Sequence, residues 1–166
     1  MKLVSIQNQI VLRILQDWKA YFARPTKTSN LVAPYKAMMD YYGWQDTPIF
    51  GCVEGKHSEF YGAKFGEDSI ALILEVPDNE IKLQCYYWWT DLIYFMEHPD
   101  EWEDQPDRLS EYSKKTFLSG VHANEPNVVV QATIPYILPE WLVDYKESKY
   151  FEKYNGSGGR NVLQLH

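Results

Sequence analysis

The sequence predicts an α+β domain, and three observations carry that reading. Residues 2–7 alternate apolar and polar with period two, two stretches with helical spacing follow, and most of the remaining chain reads as short strands. That order fits a mixed, bent or split sheet with the N-terminal helices packed on one side. The 166 residues suit a single domain, assigned to 1–146, followed by a charged, Gly/Ser-rich C-terminal tail over 147–166.

Residues 2–7, Lys-Leu-Val-Ser-Ile-Gln, have the alternation of a half-buried strand. From Ile10 the period changes. Val11, Leu12, Leu15, Trp18 and Phe22 recur at three- and four-residue spacing and predict one inward helical face, with Asn8 as cap and Arg24-Pro25 as its end. A second helix over 31–42 turns Leu31, Tyr35, Met38, Met39 and Tyr42 inward, and Gly43 closes it in a left-handed turn. Residues 48–53 read as a strand, and 54–68, with Gly55, Gly62 and Gly66, as an irregular loop. The near-continuous apolar run 69–76 predicts a central strand covered on both faces, ended by the Pro77-Asp78-Asn79-Glu80 turn before a short run over 81–85. In 86–96 the spacing of Trp88, Leu92 and Phe95 favours a helix over a strand. Another helix is expected over 108–118, and strands over 127–134 and 142–145.

Sixteen Lys and Arg against 23 Asp and Glu leave a net charge of −7. That balance argues against direct nucleic-acid binding, whose affinity comes from cations along phosphates. No apolar run reaches the ~18 residues of a membrane span, and no basic start precedes an apolar run and cleavage site. Cys52 and Cys85 are too few for a disulfide framework, and Cys52 reads as a buried inert thiol. A cytoplasmic protein with no membrane partner is expected. His57, His98, His122 and His166 share no metal-ligand spacing, so no metal is expected. Neither a nucleophile elbow nor a phosphate loop nor a dinucleotide fingerprint is present. The 13 Tyr, 7 Phe and 6 Trp stand out, because such rings pack while their polar tips seek partners. Pockets, interfaces and small cores all use them.

Several segments together resemble one uncharacterised bacterial and phage group, domain-of-unknown-function family 3841. They are Val4-Ser5-Ile6-Gln7, the 33–39 helix, Pro48-Ile49-Phe50-Gly51, Leu74-Glu75-Val76-Pro77-Asp78 followed by Trp89, and Val130-Gln131-Ala132-Thr133, in that order along 1–146. The likeness brings no activity with it. A second resemblance concerns the fold. The first strand and its helix, the aromatic-bearing split sheet and the turn Leu138-Pro139-Glu140-Trp141 look like the ADP-ribosyltransferase superfamily. That likeness implies a nucleotide cofactor, NAD or ADP-ribose. Ser5 and Gln7 would stand at the first-strand site, Tyr61 or Phe50 would stack on nicotinamide, and Gln131 would hold the catalytic position where those enzymes carry an acid. An amide can bond a ribose hydroxyl but cannot stabilise oxocarbenium charge as a carboxylate does, which implies binding without transferase activity.

Two functional readings follow. In the first, Ser5, Gln7, Phe50, Tyr61 and Gln131 surround one nucleotide cleft. The plain alternative for Gln131 is a solvent-facing residue on a half-buried strand. In the second, residues 97–111, with seven acids against the single Arg108, form a docking surface for a protein partner with a basic face. Asp100, Glu101, Trp102, Glu103 and Asp104 would carry it, in a non-enzymatic phage or bacterial interaction protein.

Overall fold

The computed structural model describes residues 1–56 and 68–147. The chain folds as an α+β domain in the order β1 (Lys2–Asn8), α1 (Gln9–Gln16), α2 (Ser29–Tyr42), β2 (Ile49–Val53), β3 (Ser69–Glu75), β4 (Lys82–Cys85), α3 (Tyr86–Glu97), α4 (Pro106–Leu118), β5 (Val130–Ile134) and β6 (Leu142–Glu147). The six strands form one sheet in the order β4-β5-β2-β1-β3-β6, and every neighbouring pair runs antiparallel rather than mixed.

The sheet is continuous, but its pairing is uneven at the centre. All seven residues of β1 pair with β3, from Lys2 opposite Glu75 to Asn8 opposite Ser69. β1 meets β2 in only two pairs, Leu3 with Val53 and Val4 with Cys52. Beyond Val4 the strands part. Gly51 sits at the parting, where an added Cβ would lie 2.8 Å from the Val4 carbonyl oxygen. The Ser5 hydroxyl donates to the Phe50 carbonyl at 2.7 Å, taking up an acceptor that the ladder no longer uses.

The two faces carry separate cores. On one, Leu3, Leu72, Leu74, Ile49 and Ile134 pack with Val11, Leu12 and Leu15 of α1 and with Ile137 and Trp141 from the returning chain. On the other, Met38 of α2, Trp89 and Leu92 of α3 and Phe117 of α4 pack with Phe50, beside a smaller cluster of Val4, Cys52 and Ala71. The expectation that the N-terminal helices share one side therefore needs correcting: α1 and α2 lie on opposite faces. α1 starts at Gln9, directly after β1 ends at Asn8, so it folds back on the face nearest that strand end, whereas the twelve-residue 17–28 connection is long enough to carry the chain round to the other face.

Helix ends follow local chemistry. Asn8 caps α1, its side chain accepting from the Ile10 N–H at 2.9 Å. α2 closes on Gly43 at φ 68°. α1, however, stops at Gln16 instead of running to Phe22. Trp18 adopts φ 58°, and the paired bonds Trp18 N–H to Leu15 O and Lys19 N–H to Ile14 O complete a Schellman-type terminus. Trp18 and Phe22, expected inward, are 77% and 51% exposed. In α3 Leu92 is buried as predicted, but the second buried residue is Trp89 rather than its neighbour Trp88, and Phe95 is only half-buried. No helix among the described residues is long and apolar enough to cross a membrane.

Two substitutions test this account. Gly51→Ala should destabilise the fold by about 2 kcal/mol or more, because backbone rather than a movable side chain stands in the way. A urea midpoint equal to that of the wild type would refute the close approach. Trp18→Gly should raise stability by about 0.5–1 kcal/mol, since a left-handed residue with a Cβ costs about 1–2 kcal/mol and glycine's added chain entropy offsets part of the relief. A lowered midpoint would mean that the exposed indole makes stabilising contacts.

Candidate functional site

The acidic segment is built on a stiff aromatic frame. Pro99 forces His98 out of helical conformation and ends α3 at Glu97. A single tight turn over Pro99–Trp102 follows, and Pro106 then opens α4 at a position where its missing N–H leaves nothing unsatisfied. Trp102 is half-buried. Its ring meets Phe95 edge-on at 4.4 Å, and Phe95 meets Tyr112 of α4 at 4.6 Å. The Arg108 guanidinium lies 4.2 Å over the Trp102 ring and donates to Gln105 at 2.9 Å. Trp102 Nε1 is buried with no hydrogen-bond acceptor among the described residues. The Tyr94 hydroxyl donates to the Glu101 carboxylate at 3.0 Å, and the Tyr94 ring stacks on His98 at 4.3 Å. That carboxylate raises the Tyr94 phenol above its ordinary value, because a hydrogen bond to an anion favours the protonated phenol.

Around this frame Asp100, Glu101, Glu103, Asp104, Asp107 and Glu111 are exposed. Among the described residues none of them ion-pairs with a lysine or arginine; the ion pairs lie elsewhere, at Asp78, Glu54, Asp40 and Asp144. Arg108, the segment's one cation, is turned onto Trp102 and Phe95. Trp102 is placed as the inward pin of the turn and not as one of its exposed contact groups.

The residues assigned to a nucleotide cleft are divided by the sheet. Ser5 pairs with Leu72 and Gln7 with Ile70, both part of the α1-side core. Gln7 Nε2 donates to Ser5 Oγ at 2.9 Å, and Ser5 is 1% exposed. Gln131 pairs with Cys52, whose side chain belongs to the opposite face with Val4. Strand alternation puts Phe50 on the Gln131 side as well, against Tyr35 and Trp89 at 5.3 and 5.7 Å. Ser5 and Gln7 thus share one wall, and Phe50 and Gln131 another. Tyr61 lies outside the described residues.

Gln131 is buried, contrary to its plain reading as a solvent-facing residue. It belongs to a polar network of residues far apart in the chain, which strand alternation alone does not reveal. Gln84 of β4, directly opposite Gln131, donates to Tyr42 Oη at 2.8 Å and to Thr133 Oγ1 at 2.7 Å, and its Oε1 accepts from Gln131 Nε2 at 3.4 Å. Thr133 in turn donates to the Lys82 carbonyl at 3.3 Å. Burial pushes the Tyr42 phenol up to about 12, although the Gln84 amide bond partly opposes this. Such a network satisfies buried amides between sheet and helices, and among the described residues no group of three or more His, Cys, Asp or Glu could hold a metal ion.

No protein-family model matches the chain, and no curated protein or solved structure is significantly similar to it.

The Tyr42 shift gives a pH prediction. A phenol raised from 10 to about 12 in the folded state contributes stability that is complete below pH 10 and lost as pH rises through 12, about 3 kcal/mol in all. Tyr42→Phe should therefore flatten the fall in urea midpoint above pH 10 relative to wild type. Parallel curves for the two proteins would contradict the burial of that hydroxyl.

Proposed function

We propose that this protein acts by binding another protein, through the acidic face formed by the end of α3, the Pro99–Trp102 turn and the start of α4. The observation that carries this reading is a set of exposed carboxylates, Asp100, Glu101, Glu103 and Asp104, left without cationic partners on a turn pinned by Trp102. Charges fixed in advance on a rigid element lose little freedom on docking, and they attract a basic surface at a distance. The partner that this chemistry fits is a protein with a lysine- and arginine-rich face. A cytoplasmic location accords with Cys52 and Cys85, neither of which forms a disulfide.

The test compares two triple variants of equal net charge. Glu101→Lys, Glu103→Lys and Asp104→Lys together should abolish salt-sensitive capture of a basic partner protein. Asp68→Lys, Glu75→Lys and Glu147→Lys, all exposed and distant in sequence, should leave it within about threefold of wild type. Equal losses in both would reduce the effect to overall charge and remove the acidic face from consideration.

A second reading has one observation in its favour, the opening between β1 and β2 past Val4, where the Ser5 hydroxyl meets the Phe50 backbone carbonyl and Gln7 bonds Ser5. It assigns NAD or ADP-ribose to that opening, without the participation of Gln131 from the far face. Millimolar NAD should then raise the melting temperature, and Gln7→Ala should remove the rise. An unchanged melting curve would end it.

A further inference from the structure

We propose that the extended segment 19–24 is a docking edge that takes up a carboxylate-bearing peptide by strand addition. This surface is separate from the acidic face and stands or falls independently of it. The segment is held to the fold along one side only. The Tyr21 N–H donates to the Ile137 carbonyl at 2.8 Å and the Ile137 N–H returns a bond to the Tyr21 carbonyl at 2.9 Å, while Ala23 bridges to Thr47. A residue that exchanges both bonds with one antiparallel partner leaves its neighbours' N–H and C=O pointing to the opposite edge. Phe22 is that neighbour, and its backbone makes no hydrogen bond among the described residues. The segment therefore offers an unpaired edge, the template used in peptide recognition by β-augmentation.

Side chains alternate to match. Tyr21 and Ala23 turn into the core, whereas Phe22 and Arg24 face outward. The Phe22 ring rests on Tyr136 at 5.8 Å, and Tyr136 stacks on Trp141 at 5.4 Å, so Phe22 is backed by a fixed aromatic column. Trp18 stands beside it in sequence, 77% exposed and held in a left-handed conformation that only its surroundings maintain. Trp and Arg are among the residue types that dominate binding energy at interfaces, and Phe is enriched there.

Charge selects the occupant. Arg13, Lys19, Arg24 and Lys27 are exposed, and none is ion-paired among the described residues, while Asp17 is the one acid of 13–27. These four cations are clustered in sequence around the segment, in a chain of net charge −7. An extended polyanion such as a bilayer or a long nucleic acid would also meet Glu80, whose carboxylate accepts from Tyr136 Oη directly behind Phe22, and the negative remainder of the molecule. A short acidic strand paired with 19–24 meets Lys19 and Arg24 of the segment itself. The fitting ligand places an apolar side chain opposite Phe22 and a carboxylate two residues away, opposite Arg24.

The experiment titrates the full chain into a fluorescein-labelled peptide about ten residues long, with valine and glutamate alternating at every second position and threonine between them. Fluorescence anisotropy should show saturable binding that weakens with salt. Phe22→Ala and the pair Lys19→Glu with Arg24→Glu should each lower affinity about tenfold or more, the exposed charge variants guarding against a folding defect. Methylating alternate backbone amides of the peptide should abolish binding, as strand pairing requires. The proposal is overturned if no saturation is reached at millimolar peptide, if the methylated peptide binds equally well, or if oligothymidylate or phosphatidylserine vesicles bind more tightly through the same residues.

Discussion

The junction between β1 and β2 organises this molecule. Two residue pairs join the strands, and Gly51 allows the Val4 carbonyl to approach to a distance that no side chain would tolerate. Past that point each strand follows its other neighbour, β1 with β3 and β2 with β5, so one sheet behaves as two half-sheets sharing a hinge of hydrogen bonds. The Ser5 hydroxyl donates to the Phe50 carbonyl where the ladder stops, which keeps that backbone group satisfied, and Gln7 in turn donates to Ser5. The divergence also accounts for the helices. α1 covers the half centred on β1 and β3, and α2, α3 and α4 cover the half built from β2, β5 and β4.

On the three-helix side the aromatic content finds its use. Tyr35, Phe50 and Trp89 form one contact group, Tyr42 meets both Trp44 and Phe117, and Phe95 joins Trp102 to Tyr112. Rings of this size fill the space between sheet and helices while their polar tips reach partners such as Gln84 and Asp91. The same packing stiffens the acidic turn. Carboxylates that repel one another are displayed together because half-buried rings beneath them, with Arg108 laid over Trp102, hold the backbone in place.

Where sequence and structure disagree, the cause is specific. Trp18 and Phe22 continue the helical spacing of Val11, Leu12 and Leu15, yet the helix ends first, because the chain must leave α1 to bridge Ile137 and Thr47. Spacing describes the face a residue would occupy if the helix went on; it does not say where the helix stops when a bulky residue takes the left-handed position usually left to glycine. The inward turn of Trp89 in place of Trp88 is a one-residue rotation, within the ambiguity of a run with four consecutive aromatics. The 69–76 strand, the Asn8 cap and the Gly43 terminus were legible because each depends on neighbours within a few residues.

The sequence by itself determined the α+β class, the strand and helix order, the clustering of acids at 97–111 and the shared face of Ser5 with Gln7. Those features are local: alternation, capping and charge need no knowledge of distant partners. Only the tertiary structure decided that Gln131 lies across the sheet from Ser5 and is bonded to Gln84, and that Trp102 points in while its acidic neighbours point out. The face of a strand relative to another far along the chain is set by register, and a shift of one residue exchanges the two faces entirely.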